Sequence, residues 1–283
     1  MVRSAILIAG ASASGKSSLA IKKAKENNGL IINTDSMQVY SVLNLLSARP
    51  QSDELAQAEH ALYGTIHPSI RFSTGEWLRE VQKIIDKTTK EKRELIFVGG
   101  TGLYFKALTD GFTQVPDVPQ EIVSEIENEI LGFDRQQRLN YLHKHDPKMV
   151  ERLNEPDRQR VVRAISVIKH TKKSLADWQN EKQISLLDGF EVEKILLNPD
   201  KEILNQRIKQ RFKKMIGQGA VEEVEELLKL NLDATLPAMK AIGVKEIAQW
   251  LNGEIDKERA IELAVIATRQ YTKRQRTFFR RWS

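Results

Sequence analysis

The chain has 283 residues, with 44 Lys and Arg against 38 Asp and Glu, a formal charge of +6. It has no cysteine, which excludes disulfides, thiolate nucleophiles and Cys-based zinc sites. His143 and His145 stand two apart in a helical stretch, so their rings point to different sides and read as exposed or structural, not as metal ligands. No apolar run approaches a membrane span, and the N-terminal one is too short for a signal peptide, so a cytoplasmic protein with no membrane partner is expected; a monomer is the expected state.

Ala5-Ile6-Leu7-Ile8-Ala9 predicts a buried strand, and Ser18 to Ala24 predicts a helix. Between them stands Gly10-Ala11-Ser12-Ala13-Ser14-Gly15-Lys16-Ser17, a complete G-x-x-x-x-G-K-S phosphate loop in its proper strand–loop–helix context. Its backbone N–H groups would form an anion nest at a helix N-terminus. Lys16 would set a point charge between phosphates, and the Ser17 hydroxyl would ligate Mg²⁺. The loop specifies a polyphosphate, not ATP.

Leu30 to Asn33 predicts a second strand, ending at Thr34-Asp35-Ser36. Ser73-Thr74-Gly75-Glu76 is a capping box that opens a helix through Trp77, Leu78, Val81, Ile84 and Ile85. Leu95 to Val98 predicts a third strand, followed by Gly99-Gly100-Thr101-Gly102. Strands alternating with helices predict an α/β fold, a P-loop NTPase-like core with a parallel sheet flanked by helices. Ligands of such sheets bind beyond the carboxyl ends of the strands, so the phosphate loop, Asp35 and Thr101 are expected on one rim.

The pattern changes after Asp110. Val115 to Pro119 reads as a linker, and from Gln120 to about Lys182 every signal is helical. Asp146-Pro147 predicts an N-cap with Pro at the first helical position. Val161, Val162, Ile165 and Ile168 form an apolar stripe with Arg158, Arg160 and Arg163 around it. Strand signals return at Val192 to Leu197. Asn198-Pro199 is then expected to cap a helix on which Arg207 and Arg211 share a face. Further helices are predicted from Ala220 to Leu230, near Val244 to Leu251, and from Asp256 onward. The expected division is a core of residues 1–110 and 190–283 and an all-helical insertion domain of residues 111–189. No acidic residue occurs from Leu263 onward, while Arg269, Lys273, Arg274, Arg276, Arg280 and Arg281 are basic. This suits an anionic partner such as nucleic acid, or equally a solvated helix face.

Four segments in this order narrow the reading: Asp35-Ser36-Met37-Gln38-Val39-Tyr40, Val98 to Tyr104 (with Gly99-Gly100-Thr101-Gly102-Leu103), Gln206 to Phe212, and Thr268 to Gln275. With the phosphate loop they resemble the tRNA dimethylallyltransferases, or tRNA isopentenyltransferases, over nearly the whole chain. The resemblance implies transfer of a dimethylallyl group from its diphosphate to N6 of adenosine 37, in the anticodon stem-loop of tRNA, with release of pyrophosphate. It implies that Gly10 to Ser17 hold the diphosphate and that Asp35, Ser36, Met37 and Gln38 meet the flipped adenosine. Asp35 would be the general base. Thr101, Arg211 and Lys16 would meet the reacting groups and pyrophosphate, and Gln159, Arg160, Val161, Val162 and Arg163 would contact tRNA. Mg²⁺ is the expected cofactor, through Ser17.

The chain departs from the family pattern at Ser12 and Ser17, where Thr is usual, at Ser47-Ala48-Arg49-Pro50, where T-A-K-P is common, at Ser166, where Glu is common, and at Val123. The loop hydroxyls are kept. Two local ambiguities remain at this level. Asp35 at a strand end also fits an N-cap, and Tyr40 fits either stacking on a base or a place in the core. Three other functions share the loop: an ATP-dependent small-molecule or nucleotide kinase, a nucleic-acid-binding NTPase, and a relative that prenylates free AMP or ATP. The family segments argue against the kinase. The second lacks an apolar run ending in Asp after the pattern of a Walker-B strand. The basic insertion and last helix favour tRNA over a free nucleotide.

Overall fold

The computed structural model describes residues 3–91, 93–113, 115–153, 156–181 and 183–282. Lys182, where the helical stretch was expected to end, lies outside them. In chain order, β1 (Arg3–Gly10), α1 (Lys16–Asn27), β2 (Leu30–Asn33), α2 (Ser52–Leu55), β3 (Glu59–Ala61), α3 (Thr74–Glu91), β4 (Leu95–Gly99) and α4 (Gly102–Asp110) come first. Then come α5 (Gln120–Glu129), α6 (Arg135–His145), α7 (Pro147–Val150), α8 (Arg158–Thr171) and α9 (Leu175–Asn180). The chain closes with β5 (Phe190–Leu197), α10 (Lys201–Gly217), α11 (Ala220–Lys229), α12 (Val244–Leu251) and α13 (Lys257–Phe279). Two compact units result, Met1–Thr109 with Ser185–Ser283, and Asp110–Ile184.

In the first unit the strands form one parallel sheet in the order β3-β2-β4-β1-β5. Because side chains alternate along a strand, β1 feeds two cores. Leu7 and Ala9 face Trp77, Phe97, Phe105 and Phe279, whereas Ile6 and Ile8 face Ala20, Ile21 and Ala24 of α1. A third core joins Val39, Tyr40 and Leu43 to α10, α11, α12 and α13. The sheet order sets the site. β2, β4 and β1 are neighbours, so the Asp35 turn, the Gly99–Thr101 turn and the phosphate loop stand side by side at their carboxyl ends.

Ser73 and Glu76 form the reciprocal capping bonds the sequence encodes, at 2.7 and 3.2 Å. One expected cap is corrected. The side chain that caps α10 is Asp200, which accepts from the Glu202 N–H at 2.7 Å, and not Asn198. Asp146 does precede Pro147 at the start of α7, but its carboxylate makes no cap bond and instead accepts from the Ser174 hydroxyl at 2.7 Å.

The second unit is helical and has its own core, built from Ile126, Ile130, Leu142, Met149 and the Val161–Ile165 stripe of α8. His143 and His145 are exposed on α6, and His145 lies against Tyr141. Ser166 is buried there, and its hydroxyl finds no partner. Among the described residues no helix is long and apolar enough to cross a membrane.

Trp77 connects the core to the site. It is fully buried and stacked on Tyr104, with ring centroids 4.1 Å apart. Its indole N–H donates to the Asn33 carbonyl at 3.0 Å, two residues before Asp35. Trp77→Phe keeps a ring but leaves that carbonyl unpaired. The expected loss is about 1–3 kcal/mol, read from the urea midpoint at constant slope. An unchanged midpoint would remove Trp77 from the anchoring of β2.

Candidate active site

The phosphate loop turns sharply after β1, with Ala13 at φ 63° and Gly15 at φ 96°. Ser12, Ala13, Ser14, Gly15, Lys16 and Ser17 line a cleft that also takes in Asp35, Glu54, Arg207 and Arg211. Gly10 and Ala11 are buried and wall neither this cleft nor its neighbour. The Ala11 carbonyl instead accepts from Lys16 Nζ at 2.7 Å. The Ser14 hydroxyl is buried without a partner. Such a donor beside a helix N-terminus suits a phosphate oxygen.

Burial lowers the Lys16 ammonium to about 8, with the Asp35 carboxylate opposing and the Arg211 guanidinium adding to the fall. Arg211 is also lowered, mainly by burial, against the pull of Asp35 and Glu54. Two cations, Lys16 and Arg211, and two carboxylates, Asp35 and Glu54, thus converge on the cleft. Arg207, one turn earlier on α10, is exposed and reaches the Ala13 carbonyl at 3.5 Å.

Asp35 is half-buried. Asn33 folds its side chain over the turn, accepting from the Asp35 N–H at 2.9 Å and donating to the Asp35 and Leu62 carbonyls at 3.0 Å each. Asp35 Oδ1 accepts from the Met37 N–H at 2.9 Å. This is an Asx turn, and no helix begins here. The expected alternative of a helix N-cap is therefore excluded. Asp35 walls the phosphate cleft and also a second, more apolar cleft lined by Ser36, Met37, Leu46, Ile208, Phe212 and Tyr271. Ser12, Ala13, Asp35, Ser47, Arg211 and Met215 belong to both. Gln38 lines the phosphate cleft and donates to the Ser47 and Ala48 carbonyls at 2.9 and 3.1 Å, so it holds the opposite wall. Arg49 donates to the Tyr40 and Ser41 carbonyls.

The structure places two further residues of the sequence reading. Tyr40 is a core residue, 1% exposed, and its hydroxyl donates to the Ile70 carbonyl. Thr101 walls neither cleft. Its hydroxyl oxygen accepts from the Ser36 N–H at 2.9 Å, so it acts on the Asp35 turn. Sequence reasoning missed Tyr271 and Glu54 as wall residues. The Thr268–Gln275 segment signalled the first, whereas Glu54 stands on the four-residue α2, too short to show a helical period.

In the helical unit, Gln159, Arg160 and Arg163 are exposed on α8, whereas Val161 and Val162 are buried. The expected contact segment is corrected at the two valines, whose side chains are consumed by the core. Among the described residues no three His, Cys, Asp or Glu residues gather as a metal site.

Fold and site together define a phosphate-loop α/β enzyme with a second cleft beside its anion cradle. The model of the IPP transferase family matches residues 38–282. The chain belongs to that family. A tRNA dimethylallyltransferase of Chelativorans sp. (strain BNC1) is 46% identical over 280 residues, covering 99% of this chain and 96% of that protein. One of Rhizobium etli is 45% identical over 279 residues, covering 99% and 94%. Among solved structures, the full-length tRNA isopentenylpyrophosphate transferase of Bacillus halodurans is similar, with TM-score 0.69, 28% identity and coverage of 99% and 87%. A eukaryotic dimethylallyltransferase acting on tRNA gives TM-score 0.83 at 27% identity, covering 98% of this chain and 70% of that one.

The state of Lys16 gives a pH prediction. An anion in the cleft favours the ammonium, so binding takes up a proton wherever the free side chain has lost one. The affinity for inorganic pyrophosphate, divided by that of Lys16→Ala at the same pH, is expected to fall as pH rises through about 8. Calorimetry in buffers of different ionisation enthalpy should show proton uptake there. A ratio flat from pH 7 to about pH 9.5 would place the Lys16 ammonium outside the anion site.

Proposed function

We propose that this chain transfers a dimethylallyl group from dimethylallyl diphosphate to N6 of adenosine 37 in tRNA, releasing pyrophosphate. The observation that carries the reading is the pair of adjoining clefts with Asp35 and Arg211 in their common wall. One cleft has the loop and cations a diphosphate needs. The other is apolar enough to take an allylic chain and the face of a base.

The chemistry follows from this division. N6 attacks the allylic carbon, the carbon–oxygen bond breaks, and its electron pair leaves with the diphosphate. Lys16, Arg211 and the loop amides stabilise the charge that develops on the leaving oxygens, and they are in place before it forms. N6 must lose a proton as it is alkylated, and Asp35 accepts it. Thr101 orients that carboxylate's turn through the Ser36 N–H. Mg²⁺ suits the hard oxygen donors here. The exposed Ser17 hydroxyl would hold it, with diphosphate oxygens and water completing the shell. Bound there, the ion would neutralise leaving-group charge. Adenosine 37 must leave its stack to reach a recessed carboxylate. The helical unit would grip the anticodon stem-loop through Gln159, Arg160 and Arg163.

The test combines the protein with Mg²⁺, unmodified tRNA and either dimethylallyl diphosphate or ATP. Prenylated N6-adenosine should appear in digested tRNA with the first donor, and ATP should give no phosphoryl transfer. Phosphorylation without prenylation would overturn the reading. Asp35→Asn keeps size and polarity but cannot take the proton. Its single-turnover rate should fall by about 10²–10⁴, with tRNA affinity much less affected. A collapse of affinity at an unchanged saturating rate would make Asp35 a binding residue.

Charge reversal at Arg160 and Arg163 tests the RNA face separately. The slope of log K against log salt should flatten by about 0.7–0.9 for each tRNA phosphate that is no longer neutralised. Pyrophosphate affinity should hold. An unchanged slope would exclude this face of α8.

A further inference from the structure

One turn of the last helix joins all three turns of the site. Gln275 on α13 is buried, 4% exposed. Its Oε1 accepts from the Ser12 N–H at 3.0 Å, and its Nε2 donates to the Gly100 carbonyl at 2.9 Å. Tyr271, one turn earlier, sets its phenol beside Thr101 and Gln275. Thr101 in turn accepts from the Ser36 N–H. The phosphate loop, the β4 turn and the Asp35 turn are therefore linked through two side chains. Gly100 is shaped for this contact, since a Cβ there would lie 2.0 Å from the Gln275 amide nitrogen.

The Ser12 N–H is thus committed to Gln275, while the amides that open α1 remain for an anion. Holding the loop's first half cannot add much to diphosphate affinity. It can fix where the loop stands relative to Asp35. Both bonds of the Gln275 amide are directional, one as acceptor and one as donor, so no apolar residue of similar size replaces them.

We propose that Gln275, with Tyr271, is a positioning residue for group transfer, setting the loop-to-Asp35 spacing so that the allylic carbon meets the acceptor nitrogen in line. This rests on the transfer reading above. A loosened loop would still bind diphosphate through Lys16 and the start of α1, but the reacting atoms would be offset, and about 1 Å of misplacement costs up to about a hundredfold in rate.

The test uses Gln275→Leu, Gln275→Glu and Tyr271→Phe in the full chain. Gln275→Leu should lower the single-turnover rate by about ten- to a hundredfold, with the KM for dimethylallyl diphosphate and the affinity for inorganic pyrophosphate little changed. Gln275→Glu is the sharper probe. As the neutral acid it accepts from Ser12 and donates to Gly100, as glutamine does. As the carboxylate it keeps only the first bond and sets a charge against the Gly100 carbonyl. Its rate divided by the wild-type rate at the same pH should therefore recover as pH falls, and the division cancels any pH dependence the two proteins share. A role confined to stability would leave that ratio flat for folded protein, and a flat ratio overturns the proposal. So does wild-type turnover by folded Gln275→Leu. Should Gln275→Leu fail to fold, the Gln275→Glu profile and a reduced rate in Tyr271→Phe decide. Hydrogen exchange at the Ser12 amide is read alongside and needs no transfer. Faster exchange in the variants supports the link even if the wild type proves not to prenylate, and unchanged exchange overturns it.

Discussion

The close approach of β2 to β4 at their carboxyl ends governs the rest of the site. The Thr34 N–H donates to the Val98 carbonyl at 2.8 Å, and the Thr101 N–H donates back to the Thr34 carbonyl at 3.2 Å. Between those bonds lies Gly99, where a Cβ would stand 2.0 Å from the Thr34 oxygen. Any side chain there would part the two turns. With the gap closed, the Thr101 hydroxyl reaches the Ser36 N–H and the Asp35 turn is held from both sides. The glycine pair of the G-G-T-G segment thus has two separate duties, one toward β2 at Gly99 and one toward α13 at Gly100.

Electrostatic arrangement follows from that frame. Bringing Lys16 and Arg211 toward one point in a partly desolvated cleft is unfavourable by itself, which is why both are held below their ordinary values. Asp35 and Glu54 offset part of this, but Arg207 and Lys214 line the same cleft. The remaining positive charge is balanced only by an anion, and a diphosphate brings more than one charge. The strain is local and preorganised, so cationic groups need not be gathered as the leaving group departs.

Much of this was legible because its signals are local. The phosphate loop announces itself by eight consecutive residues, and the Ser73–Glu76 box by a four-residue spacing. Strands β1, β2 and β4 are short apolar runs ended by turn residues, as fully buried parallel strands must be. What escaped depends on distant contacts. β3 is three residues, Glu-His-Ala, and becomes a strand only because β2 offers it a partner. Asn198 and Asp200 are both competent caps, and the start of α10 at Lys201 chooses Asp200. Asp35 read as a base, with a cap as the alternative, because an Asx turn and a helix cap begin with the same bond; what separates them is whether a helix follows. Tyr40 was undecidable, since alternation along an irregular segment carries no period. Tyr271 was visible as part of a motif, but its direction depends on how α13 lies across the sheet's carboxyl edge.

The helical unit illustrates how burial sorts a segment that sequence treats as one. Residues 159–163 are contiguous, yet a helix turns each residue by about 100° from the last, so no single face can present all five. Val161 and Val162 point into the core with Ile165, and the cost of exposing them would fall on the unit's own stability. Gln159, Arg160 and Arg163 are left outward. Arg160 is partly engaged by Asp157, the residue that caps α8, at 3.1 Å. That pair is exposed, so it contributes little and yields readily to a phosphate. Under the proposed reading, the apolar stripe makes the unit fold and the residues between its members do the binding. Ser166 fits the same division. It lies on the buried side of α8 with its hydroxyl unpartnered, so it is part of the packing and not of the outward face, and its departure from the family's usual Glu alters the core before it alters any surface.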